Sequence, residues 1–126
     1  MHRTRIYGFF IDTALDHADA AVAFWSAALG TTTHRDPPDD PYWRLVDAAP
    51  GIQLEVQAVD DTPRYHMDIE TDDVSAEVDR LRELGATVVT DTGSWTVLRA
   101  PGGHLFCVVP VQSGEEFFQA NSTVWP

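Results

Sequence analysis

Residues 65–70, Tyr-His-Met-Asp-Ile-Glu, repeat the pattern of residues 7–12, Tyr-Gly-Phe-Phe-Ile-Asp. Each hexapeptide alternates side chains and precedes a helical segment. Each helix ends on the same dipeptide, Leu29-Gly30 and Leu84-Gly85, where glycine suits a left-handed stop. Downstream, Gly51-Ile-Gln-Leu-Glu55 parallels Gly103-His-Leu-Phe-Cys107. The unit is a strand, a helix and three strands, used twice.

The helices are read from apolar periodicity. Val74, Val78, Leu81 and Leu84 recur at three- and four-residue steps, which predicts a helix over 73–84 capped by Asp72 or Asp73. A second helix is expected over 19–29, with Ala21, Phe24, Trp25, Ala28 and Leu29 on its buried face. Phe24, Leu81 and Leu84 are the expected core anchors. Strands are expected at 6–12, 31–34, 42–46 and 52–57, then at 65–70, 86–90, 94–99 and 104–109. The stretch Asp36 to Pro41 holds three prolines and reads as a loop.

Composition bounds the function. The 126 residues predict one domain, with modules of about 5–60 and 63–111 and a tail at 112–126. The 8 Lys+Arg and 20 Asp+Glu give a net charge of −12, which disfavours nucleic acid and anionic membranes. No apolar run reaches a membrane span, and the short run after Arg5 meets Asp12 too soon for a secretory signal. Cys107 is the single cysteine, so no internal disulfide forms, and a reducing cytoplasmic setting is expected. There is no phosphate-binding glycine loop, nucleophile elbow or CxxC pair.

Several stretches taken together resemble the vicinal oxygen chelate superfamily, the group of glyoxalase I, bleomycin-resistance proteins and extradiol dioxygenases. They are Ala23-Phe24-Trp25 through Leu29-Gly30, His66 to Ile69 before Asp72-Asp73, Arg80-Leu81 through Thr87, and Trp95 through Pro101, Gly103 and Phe106-Cys107. Within that superfamily the chain is similar to the small bacterial glyoxalase-like domain over about residues 5–111. The resemblance implies an α+β fold of two βαβββ modules whose mixed sheet curls into a cup, with helices on the convex face. A ferredoxin-like sandwich is the alternative; it leaves room for only one or two strands between helices.

The resemblance also implies four metal-ligand places, and the repeat puts them at Gly8, Glu55, His66 and Cys107. Gly8 carries no donor and Cys107 stands where the family usually has a glutamate. No cofactor is therefore expected, a divalent ion such as zinc being the alternative. Glu55 and His66 are the candidate acid/base pair. Trp43, Gln53, Trp95, Phe106 and Cys107 are the candidate ligand contacts, with core packing as the competing role of the aromatics. The function expected is binding of a small organic molecule in the cup, the alternative being a lyase or isomerase of the glyoxalase type. A homodimer is expected from the resemblance. Phe117, Phe118 and Trp125 in the tail are expected to pack on the chain or on a second subunit.

Overall fold

Strand alternation and two helix stripes build the chain into two βαβββ modules of an α+β fold. The structure, a computed structural model, describes residues 1–126. It contains nine strands, three α-helices and one 3-10 turn. Two compact units emerge: residues 8–66, and residues 1–7 together with 67–126. The sequence expectation put residues 5–7 with the first module. They lie instead in the second unit, because the start of the first strand pairs with the end of the chain.

In the first unit the long strand β1 (His2–Ala14) contributes its residues from Gly8 onward. Helix α1 (Ala18–Leu29) follows, and Gly30 closes it at φ 65°, donating its N–H to the carbonyl of Ala27. Strands β2 (Thr33–His34), β3 (Tyr42–Leu45) and β4 (Gln53–Val59) complete the module. β2 and β3 are antiparallel, as are β3 and β4, while β4 runs parallel to β1.

Ile11, Leu45 and Val56 form the core under α1, and Ala21, Val22 and Trp25 of the helix pack against them. Ala18, Ala21, Val22 and Trp25 make the buried stripe at steps of three and four. Phe24 and Leu29, expected on that face, are 61% and 46% exposed. Phe24 sits one position off the stripe and meets only the edge of Trp25, with ring centroids 5.1 Å apart.

The second unit repeats the order. Strand β5 (Arg64–Thr71), whose residues from Met67 onward belong to this unit, leads to helix α2 (Val74–Glu83), then β6 (Thr87–Asp91), β7 (Thr96–Arg99) and β8 (Leu105–Pro110). β8 runs parallel to β5 over 68–71 and antiparallel to β7, which pairs antiparallel with β6. Asp73 caps α2 by accepting from the Ala76 N–H at 2.9 Å, while Asp72 accepts the Arg3 N–H at 2.7 Å. Val74, Val78 and Leu81 pack against Ala86, Leu98 and Val108. Leu84, expected in that core, is the helix C-cap and is 65% exposed, because the stripe ends before the chain turns away.

The tail is structured. Helix α3 (Glu115–Asn121) buries Phe118 completely, and β9 (Thr123–Trp125) pairs antiparallel with the first residues of β1. Trp125 Nε1 donates to Thr4 Oγ1 at 2.8 Å, and the guanidinium of Arg80 lies 3.7 Å from the Trp125 ring centroid. Phe117 is partly exposed beneath Arg5. These aromatics therefore pack on their own unit. No helix is long and apolar enough to cross a membrane.

Candidate functional site

The cross-strand register decides which side chains of the first unit share a face. Partners directly opposite one another point the same way, and neighbours along a strand point opposite ways. Val56 lies opposite Ile11 and Trp43, and all three belong to the core side under α1. One step along each strand gives the other face. There Arg44, Glu55 and Phe10 form one row across β3, β4 and β1, and Tyr42, Gln57 and Asp12 form the next. Gln53 lies opposite Gly8 on the same face.

His66 joins this face from the start of β5. Its Nδ1 is 2.7 Å from Asp12 Oδ2, and its ring lies parallel on Phe10 at 4.8 Å and 7°. Tyr42 meets Phe10 edge-on at 5.9 Å and 74°, and its hydroxyl accepts from Gln57 Nε2 at 3.1 Å. Asp12 is buried and its Oδ1 has no hydrogen-bond partner. Arg64 Nε approaches Asp12 Oδ2 at 3.5 Å, while its Nη1 bonds Asp61 at 2.9 Å. The Thr62 backbone N–H, followed by the hydrogen bond and charge of Arg64, holds the Asp61 carboxyl below its ordinary range.

This arrangement has a chemical consequence. With the Asp12 carboxylate on Nδ1, the imidazole is held in one orientation, with Nε2 as its other proton-exchanging nitrogen. Burial against Phe10 narrows the ring's freedom further. Glu55, half-buried in the next row position, supplies a carboxylate on the same face.

Glu55, His66 and Gln53 therefore share the polar face of the first unit. Trp43 does not: it packs on Val56 and Leu45 beneath Arg35, whose guanidinium lies 3.9 Å from its ring centroid. Tyr42 takes the place on the polar face expected of Trp43. Leu45 is fully buried, so two-residue alternation counted back from it would have assigned Trp43 to the core and Tyr42 to the site.

The remaining expected residues belong to the second unit. Phe106 lies opposite Leu98 and packs in the α2 core, so its expected ligand contact is corrected to core packing. Cys107 points to the other side, half-buried and opposite Asp68; two consecutive strand residues do not share a face. Trp95 is exposed in the β6–β7 turn, where its carbonyl accepts from Thr92. Asp12, Phe10 and Gln57 also stand on the polar face of the first unit; the sequence expectation did not include them, although the repeat aligns Asp12 with Glu70.

Residues 8–109 match the model of the glyoxalase-like domain. The chain belongs to the glyoxalase-like domain family. The fold of methylmalonyl-CoA epimerase from Mycobacterium tuberculosis is similar, with a TM-score of 0.54 at 18% identity over 86% of this chain and 88% of that one. A methylmalonyl-CoA epimerase in complex with methylmalonyl-CoA and ammonium gives 0.56 at 21% identity, over 87% and 96%. The 2,2′,3-trihydroxybiphenyl 1,2-dioxygenase of Sphingomonas wittichii gives 0.59 at 11% identity, over 87% of this chain and 41% of the dioxygenase. No curated protein matches. The family match places the chain in the vicinal oxygen chelate superfamily, and these likenesses show the same fold.

The family's four-place metal set does not fit these residues. Gly8 offers no donor, and a Cβ there would lie 3.0 Å from the Gln53 carbonyl oxygen and 3.1 Å from Phe10 Cε2. A side chain there would press on the neighbouring strand and the phenyl ring.

Proposed function

We propose that the polar face of the first unit binds a small organic molecule, with Gln53, Glu55 and His66 among its contacts. Support comes from the exposed Tyr42 ring beside amide, carboxylate and imidazole groups, with buried Phe10 backing the imidazole. Aromatic surface with a few polar groups is the usual make-up of a small-molecule site. Membership of a family whose structural neighbours include epimerases and a dioxygenase supports the same reading.

The single observation that carries the proposal is the 2.7 Å contact of His66 with buried Asp12. It favours a second, more specific reading: proton transfer of the lyase or isomerase type, with His66 and Glu55 as the exchanging groups and Asp12 as the positioning residue. One group, as base, takes the C–H proton of a bound carbon acid, and the other, already protonated, delivers its own proton to the carbon; exchange with water then resets both.

A screen of small aromatic acids, amides and alcohols by ligand-observed NMR tests the binding reading, with backbone amide shifts mapping the contact. Shifts at Tyr42, Glu55, Gln57 and His66 are expected; shifts confined to other regions overturn it. Deuterium uptake from D2O into a bound carbonyl compound tests the second reading. It should fall at least tenfold in His66→Ala, and an unchanged rate overturns the role of His66. The proposal extends to a cytoplasmic homodimer, for which a sequence with one cysteine, and hence no internal disulfide, and the exposed Phe24 and Leu29 of α1 are the support.

A further inference from the structure

We infer that Arg44 is the anion anchor of this face, and that the molecule held there is a small organic carboxylate with a flat apolar body. The inference rests on the ligand-face reading above and names the chemical class that face takes.

All eight cationic side chains of the chain are arginines; there is no lysine. Seven are engaged. Arg5, Arg64, Arg80 and Arg82 lie against carboxylates. Arg3, Arg35 and Arg99 donate to backbone carbonyls. Arg44 is the exception: its guanidinium makes no hydrogen bond and no ion pair, in a chain of net charge −12. Its side chain is exposed, and its strand neighbour Leu45 is in the core, so Arg44 stands on the polar face with Tyr42.

The Cα partner of Arg44 is Glu55. Opposite charges directly across a strand pair stabilise it, yet Arg44 is outside the arginine–carboxylate ion pairs of the chain. A guanidinium left with its donor fork unused suits a planar carboxylate, which it can bind through two parallel hydrogen bonds. Long-range repulsion from the acidic chain disfavours anions elsewhere on the surface, so an anion held at this face needs a local cation.

Register then orients the ligand. Arg44, Glu55 and Phe10 lie in one row. At about 4.8 Å per strand, Arg44 and Phe10 are roughly 10 Å apart at Cα. A carboxylate on Arg44 therefore places the rest of the molecule over Tyr42 and Glu55, running toward Phe10 and His66. Because Glu55 repels a second negative charge, the body in that position must be uncharged. The class that satisfies both ends is a monocarboxylate whose apolar part is flat enough to lie against the exposed Tyr42 ring, since Phe10 is buried beneath His66.

Phenylacetate and its neutral isostere phenylacetamide separate the charge from the body. Titrating each into 15N-labelled wild type, Arg44→Gln and Arg44→Lys at low salt gives both affinity and location. At least a tenfold preference for phenylacetate is expected in wild type, with shifts at Tyr42, Glu55 and His66. It should vanish in Arg44→Gln, survive in part in Arg44→Lys, and leave phenylacetamide affinity unchanged throughout. Equal affinities in wild type, or a preference that persists in Arg44→Gln, overturns the anchor while the ligand face stands. If neither compound shifts the amides of this face, the ligand-face reading fails and the anchor fails with it.

Discussion

Trp125 donates its indole N–H to the hydroxyl of Thr4, 121 positions earlier in the chain. The contact ties the last strand to the first and explains why residues 1–7 belong with the second unit. Around it, Arg80 stacks on the indole while its guanidinium holds buried Glu77, and Glu77 accepts a further contact from His2 at 2.7 Å. Nearby, buried Glu70 meets Arg5, the hydroxyl of Ser113 and the backbone N–H groups of Gln112 and Ser113. The tail is thus fastened at both ends by buried carboxylates and an aromatic ring.

Truncating the indole should loosen this fastening. Trp125→Ala is expected to destabilise by roughly 2–3 kcal/mol, below the cost for a fully buried tryptophan because Trp125 is half-exposed. Urea denaturation measures it. A loss below about 0.5 kcal/mol would show that β9 does not hold β1.

Acid should weaken the same cluster. Burial pushes the Glu77 carboxyl up, but hydrogen bonds from Arg80 and His2, and then their charges, outweigh it, so it sits below its ordinary 4.5. The folded state therefore binds this proton less readily than the unfolded chain. Its stabilising contribution is full above about pH 4.5 and is lost as pH falls through the depressed folded value. Wild type should lose more stability between pH 6 and pH 3 than Glu77→Gln, which should itself cost about 3 kcal/mol at pH 7 by leaving Arg80 unpaired. Equal acid sensitivity of the two proteins would contradict the linkage.

The helix faces can be checked with three alanines. Leu81→Ala should cost roughly 2–3 kcal/mol, because it packs against the core of Ala86, Leu98 and Val108. Phe24→Ala and Leu84→Ala should each cost under about 1 kcal/mol, since both side chains are mostly in water. The reverse order would mean that the stripes are misassigned.

At the site, the Asp12 contact should govern the ring of His66. In wild type, 15N spectra of the imidazole should show Nδ1 protonated toward Asp12. In Asp12→Ala that preference should disappear and proton exchange on a bound carbon acid should slow about tenfold or more. An unchanged tautomer balance would remove Asp12 from the positioning role.

Elemental analysis of protein purified without chelator should find well under one transition-metal ion per chain, because Gly8 provides no ligand atom and Cys107 stands where the family usually has a glutamate. Finding about one zinc, nickel or iron per chain, lost in His66→Ala, would overturn this.

Much of this protein was legible from local pattern. The repeat of residues 7–12 in 65–70, the Leu-Gly helix ends and the two-residue alternation around Glu55 and His66 settled the α+β class, the βαβββ order and the polar side of β4. Those features depend on backbone periodicity, which sequence carries directly. Even the placing of Trp43 and Phe106 was available in principle, since each adjoins a residue whose face was known.

Partners distant along the chain were not legible. That Asp12 rather than Glu55 meets His66 Nδ1, that Arg44 ends without an ion pair, and that Trp125 reaches Thr4 all follow from which strands lie side by side and in what register. Pairing of remote strands is set by burial of their apolar faces as a whole. The sequence alone determined what each strand could present; the tertiary structure decided which of those groups meet.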